Sequence, residues 1–268
     1  MLLSKLSWLV LVIQCLDCLA YDITTRKLPK GSLGVTLDYS LAMTFGQETP
    51  GKQSNVRRSW AWSSHLTFKN PVSEITPGQM WKIAADAYAE MEVDRAQYGI
   101  GARQKSRAMS VLAWGNELIL SSTQKGGDSF SYRFQGTQVL DDLRLCQQVW
   151  KDATENDLEH RAAAMCAEPM ACQLYYSMNA ITHLASQHAR VCTVVENGQG
   201  VVEQQDPCPP PHQEGNIWGC STFVASQNLQ VLDKATPAQA YDLKTLAGGL
   251  MVRDQVQLCS AVRRLDGT

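Results

Sequence analysis

A chain of 268 residues with 44% hydrophobic composition can bury one substantial core or two small ones, and its 19% charged residues exclude a disordered polyelectrolyte. A formal net charge of -2 excludes any global attraction to polyanions, so a nucleic-acid partner must be held by local groups.

Residues 1–20, MLLSKLSWLVLVIQCLDCLA, place Lys5 ahead of an apolar run over 6–13 and end on Ala20. That is the layout of a cleavable secretory signal peptide. The run is too short for a membrane-spanning helix, and Gln14 and Asp17 break the apolar character beyond it. The expectation is a secreted, extracellular protein cut near Ala20 and Tyr21, with no membrane in its mature form. Of nine cysteines, Cys15 and Cys18 leave with the signal. Seven thiols in an oxidising compartment cannot all pair within one chain.

Residues 21–73 are rich in Gly, Pro, Ser and Thr without sustained periodicity and read as an irregular N-terminal region. Its basic and aromatic cluster, Arg57, Arg58, Trp60 and Trp62, reads as a solvated loop with one or two tryptophans packed on the core. The folded domain occupies 74–268. It opens on EITPGQMWKIAADAYAEMEV, where Thr76 caps, Pro77 fits the first helical position and Gln79 has capping-box spacing. Met80, Ile83, Ala84, Ala87, Tyr88 and Met91 then line one helical face.

AMSVLAW and ELILSS flank Gly115 and Asn116 and predict a β-hairpin, apolar enough to lie inside a covered sheet. VLDDLRLCQQVW sets Val139, Leu140, Leu143, Cys146 and Trp150 at helical spacing. RVCTVV predicts a strand ended by the turn ENGQG, and DPCPPPHQEGNIWGC a loop. STFVASQ makes two helical turns, NLQVL a short strand, and Thr236 with Pro237 opens a last helix, PAQAYDLKTL. This order of elements predicts an α/β layer fold.

In MCAEPMACQLYYSM, Pro169 is tolerated only in a helix's first turn, so the helix begins near Ala167 and sets Cys166 and Glu168 at its N-terminus. Cys220 follows Gly219 at the head of STFVASQ, and Cys208 follows Pro207. Helix N-termini favour thiolate over thiol, and thiolate is the form that ligates zinc.

Cys166-Ala167-Glu168, a strand, Pro207-Cys208, then Cys220 at a helix head resembles the zinc site of the cytidine deaminase-like superfamily, and CAEP is similar to its secreted toxin-like branches. The likeness runs over residues 75–235 by element order. It implies a three-layer α/β fold with a central mixed β-sheet of about five strands flanked by helices. It also implies Cys166, Cys208 and Cys220 as Zn2+ ligands, with a fourth position for water. Glu168, not a ligand, becomes the catalytic proton shuttle. The implied activity is hydrolytic deamination of a nucleobase, nucleoside or single-stranded nucleic acid, delivered as a toxin or effector.

The chain departs from the family's P-C-x-x-C spacing: eleven residues, PPPHQEGNIWG, part Cys208 from Cys220. Looped outward, they place His212, Glu214 and Trp218 where a substrate can be touched. The alternative is a catalytically inactive interaction or effector protein of the same fold, with a Cys208–Cys220 disulfide where zinc would sit. Cys146, Cys172, Cys192 and Cys259 form an even set that allows up to two disulfides, their pairing open. His160, six residues before Cys166, can neighbour the site; histidines there, and at 183 and 188, are more often structural. The chain carries no Walker-type loop, no internal repeat and no defensible Ser-His-Asp order.

Overall fold

The computed structural model describes residues 21–44, 58–209 and 217–259. The expected signal peptide, Arg57, His212 and Glu214 lie outside the described residues.

The chain turns sharply at Gly115, whose φ of +48° suits a residue without Cβ, and joins β3 (Ala108–Trp114) to β4 (Glu117–Ser122). Both strands are almost wholly buried, as expected of strands covered on two faces. Around this hairpin the order along the chain is β1 (Thr36–Leu37), α1 (Tyr39–Thr44), β2 (Trp62–Phe68) and α2 (Pro77–Gln97), then β3 and β4. Next come α3 (Phe130–Arg133), α4 (Gln138–Thr154), α5 (Ala167–Met178), β5 (Arg190–Glu196), β6 (Val202–Gln205), α6 (Cys220–Ser226), β7 (Gln230–Val231) and β8 (Leu250–Asp254).

The fold is α/β, built on a mixed, open, eight-stranded sheet of order β1-β2-β4-β3-β5-β6. β7 pairs in parallel with Arg190 and Val191 at one end of β5, and β6 antiparallel with Thr193–Glu196 at the other. β8 runs antiparallel to β2. The period of two sorts the strand side chains between layers. Met109, Val111, Ala113, Leu118, Leu120, Cys192 and Val194 pack with α2. Leu112, Trp114, Ile119 and Val191 pack with residues of α4, α5 and α6. Helices therefore cover both faces, α2 on one and α4, α5 and α6 on the other. No helix among the described residues is long and apolar enough to cross a membrane.

The α2 capping box forms as its spacing predicts: the Gln79 amide donates to Thr76 Oγ1 at 3.2 Å and the Thr76 amide to Gln79 Oε1 at 3.0 Å. All six residues of the expected stripe are buried.

Three expectations are corrected. The sheet exceeds the expected five or so strands, and β1, β2 and α1 fall within 21–73, which is not irregular throughout. Trp62, Leu66 and Phe68 of β2 are buried among the α2-side residues, but buried Ser63, Ser64 and His65 mask the alternation. Trp60 and Trp62 are both core residues, and the Arg58 guanidinium donates to the Ala42 carbonyl and lies over the Tyr21 ring. The helix expected over PAQAYDLKTL does not form. Its Gln239 is drawn to the start of α2, where its amide donates to the Gly78 carbonyl at 2.8 Å and its Oε1 accepts from Thr76 Oγ1 at 2.8 Å.

The N-terminal strands are tied in through Asp94 of α2, which is 1% exposed. Its carboxylate accepts from the Leu37 amide at 2.9 Å, Trp62 Nε1 at 3.1 Å, Gln97 Nε2 at 3.0 Å and Thr36 Oγ1 at 3.3 Å. Burial, offset in part by these donors, pushes its carboxyl up to about 6. Asp94→Ala, which orphans the buried Leu37 and Trp62 donors, is expected to cost about 2–4 kcal/mol in urea denaturation. Because the folded pKa lies above the unfolded value of about 4, Asp94's pH-linked stabilisation is full below about pH 4 and is lost as pH rises through the folded pKa. The urea midpoint should therefore rise between pH 7 and pH 5, by less in Asp94→Asn.

Candidate metal centre

The α5 helix starts at Ala167, as the Pro169 argument predicts, with Cys166 as its N-cap residue and Glu168 in its first turn. The α6 helix starts at Cys220, with Gly219 before it. A Cβ on Gly219 would stand 2.5 Å from the Cys208 carbonyl oxygen and 2.9 Å from Arg161 Cγ, so only glycine lets these three segments meet. The Ser221 amide then donates to the Cys208 carbonyl at 3.0 Å, fixing Cys208 against the head of α6.

The result is a buried cluster. Cys208 hydrogen-bonds through sulfur with both Cys166 and Cys220. A ring nitrogen of His160 and the sulfurs of Cys166 and Cys220 all lie within 4.8 Å of one another. Glu168, 5% exposed, accepts from Thr193 Oγ1 on β5 at 3.0 Å, and Thr193 Oγ1 is 2.6 Å from Ser110 Oγ on β3. The three sequence-predicted ligands and the predicted shuttle therefore come together, and His160 lies with Cys166 and Cys220 in a group that does not include Cys208.

The charges in this cluster are interdependent. Hydrogen bonds from Cys166 and Cys220 hold the Cys208 thiol far below its ordinary range. Cys166 is raised by its bond to Cys208 and by burial, and Cys220 by burial and its bonds to both other thiols. The helix-head argument, which favours thiolate at Cys166 and Cys220, is thus reversed at both, and Cys208 is the sulfur whose thiolate its neighbours favour. Burial also raises the Glu168 carboxyl. Burial lowers the pKa of the His160 imidazole, which favours its neutral form. His160 Nε2 is buried without a hydrogen-bond partner among the described residues. A divalent cation bound here would compensate several thiolates and satisfy the imidazole nitrogen together. His160, Cys166 and Cys220 can hold a metal ion.

Cys146, Cys166, Cys172, Cys192, Cys208 and Cys220 carry free thiols, so the alternative Cys208–Cys220 bridge is not formed. Cys146, Cys172 and Cys259 are buried in one apolar cluster, and Cys192 lies across the sheet from them. Trp218, expected at an exposed loop tip, is instead 1% exposed. Its Nε1 donates to the Leu158 carbonyl at 2.6 Å, and its ring meets that of His160 edge-on at 5.1 Å. His183 precedes a short 3-10 turn, its ring 6.3 Å from that of Tyr176. Sequence reasoning missed the Ser110–Thr193 pair. Its signal was present, a lone hydroxyl residue among the apolar residues of each of two central strands.

No protein-family model, curated protein or solved structure gives a significant match to the chain. Fold and site together define an α/β protein with a buried thiol and imidazole donor cluster at two helix heads. Purified protein is expected to carry about one metal ion per chain by elemental analysis. Cys220→Ser should lose the ion and lower the thermal midpoint, since ligand binding energy is part of folding energy.

Proposed function

We propose that the protein is a secreted, zinc-dependent hydrolytic deaminase acting on a cyclic amidine such as a nucleobase, a nucleoside or single-stranded nucleic acid. The observation that carries this reading is the convergence of Cys166, Cys208 and Cys220 at the heads of α5 and α6, with Glu168 buried beside them. Soft thiolate donors with an imidazole select zinc over hard cations such as magnesium or calcium. Zinc in such a site supplies Lewis acidity and brings the pKa of water toward about 7, as hydrolysis at neutral pH requires.

The remaining chemistry belongs to the chain. Glu168 is the acid-base group: it takes a proton from the attacking water and gives it to the ring nitrogen, then carries the second proton from the added hydroxyl to the amino group, which leaves as ammonia as the carbonyl forms. Its raised pKa suits both halves of that task, because a carboxyl poised nearer neutrality can give the proton back. Thr193 fixes the carboxylate, and Ser110 fixes Thr193. Water is restricted by burial of Cys220 and Glu168 beneath the sheet and helices.

The deciding experiment is a screen of cytidine, adenosine, guanine and single-stranded DNA for ammonia release. Glu168→Ala should keep its metal and fold and lose release from the true substrate; undiminished activity would remove the shuttle assignment. Thr193→Val takes away a hydrogen bond that lowers the Glu168 pKa, so the acid limb of the kcat profile should move to higher pH. Its metal content should stay unchanged.

A further inference from the structure

The segment joining His160 to Cys166 is strained in a way that the cluster's chemistry can use. Ala162, Ala163 and Ala164 have φ of +58°, +48° and +52°, a left-handed turn made of three residues that each carry a Cβ. Such residues persist only where their surroundings over-determine them, and they gather at sites that move or bind. Here the surroundings are specific. The Arg161 amide donates to the Trp218 carbonyl at 3.0 Å, Ser131 Oγ to the Ala164 carbonyl at 3.3 Å, and the Gln124 amide to the Met165 carbonyl at 2.9 Å.

What this turn holds in place is His160. Nδ1 is engaged by the backbone, with the Ala164 amide at 3.2 Å and the Arg161 carbonyl against it. The Ala164 amide donates to Nδ1, so metal binding through Nε2 requires the proton to move to Nδ1, where the Arg161 carbonyl accepts it and the Ala164 bond is given up. The imidazole is 2% exposed, its Nε2 has no hydrogen-bond partner among the described residues, and a ring nitrogen lies within the donor group of Cys166 and Cys220.

We propose that His160 is the fourth metal donor, closing a Cys3His set in the resting protein, and that the left-handed Arg161–Ala164 turn is the spring that lets it withdraw. A set of four protein donors is the pattern of a closed site, whereas hydrolysis needs a position for water. The zinc deaminase reading therefore requires His160 to leave, and relaxation of three left-handed alanines toward right-handed φ offsets the loss of that bond. The inference rests on the reading of Cys166, Cys208 and Cys220 as metal ligands.

The test is metal binding, independent of any substrate. The wild-type chain is loaded with Co2+ and with Zn2+, and its visible spectrum and rate of zinc loss to a chelator are measured beside His160→Ala, His160→Gln and Ala163→Gly. The His160 variants should keep their thiolate-to-cobalt charge-transfer bands, shift the ligand-field bands, and lose zinc at least about tenfold faster. His160→Gln serves if the alanine variant does not fold. Ala163→Gly, which makes the left-handed turn cheaper and leaves every donor in place, should hold zinc longer than wild type. Unchanged spectra and retention in both His160 variants overturn His160 as a donor and leave the three-thiol site standing. Retention in Ala163→Gly equal to or below wild type overturns the spring. A wild-type chain that takes up neither ion overturns this inference and the zinc reading together.

Discussion

Three sulfurs in contact, one buried and two partly so, beside a buried carboxyl group set the constraint on which the site depends. Removing several negative charges from water is prohibitive unless a cation or protons compensate them. Among the thiols themselves, hydrogen bonds from Cys166 and Cys220 lower the Cys208 pKa while burial and contact with Cys208 raise those of the other two. The local features around it serve that contact: Pro169 in the first turn of α5, glycine at 219, and a left-handed run ahead of Cys166. Each is a backbone arrangement that would be unfavourable or impossible with an ordinary residue or an ordinary turn.

The sheet supplies the rigidity such a contact needs. The α5 helix lies on β3 and β4, whose side chains on that face are Leu112, Trp114 and Ile119, so the helix head cannot shift without opening the core. Ser110 and Thr193 interrupt this apolar surface directly opposite each other, paired in register between β3 and β5. Two hydroxyls in central strands sacrifice apolar burial, and they are tolerated because each satisfies the other and Thr193 also satisfies Glu168. The core and the site are thus built from the same strands, which couples the position of the carboxylate to the stability of the fold.

Much of this was legible in the residues because it rests on local rules. The α2 capping box, the hairpin at Gly115 and the start of α5 follow from cap, turn and proline chemistry that acts within a few residues. What escaped is what depends on distant partners. β2 hides its period because buried Ser64 finds the Leu33 carbonyl and His65 reaches Asp254 and Glu117, contacts no window of sequence contains. Residues 237–246 look helical by composition, yet Gln239 is claimed by Thr76 and Gly78, far earlier in the chain. His160 was legible as a neighbour of Cys166, but three alanines in left-handed conformation cannot be read from a residue type that favours the right-handed helix.

The choice of Cys208 as the ionised thiol shows which electrostatic effect wins. A helix N-terminus offers a nearby anion about 0.3–1 kcal/mol at exposed positions, which should favour Cys166 and Cys220. A hydrogen bond to a charged acceptor offers about 1.5–3 kcal/mol, and Cys208 receives two of them. It is also less deeply buried than Cys220, so its charge is desolvated less. The local donors therefore outweigh the dipole, and the sulfur at neither helix head carries the charge. The two helix heads contribute by delivering their thiols to a common point, and metal binding there would release the protons those thiols carry.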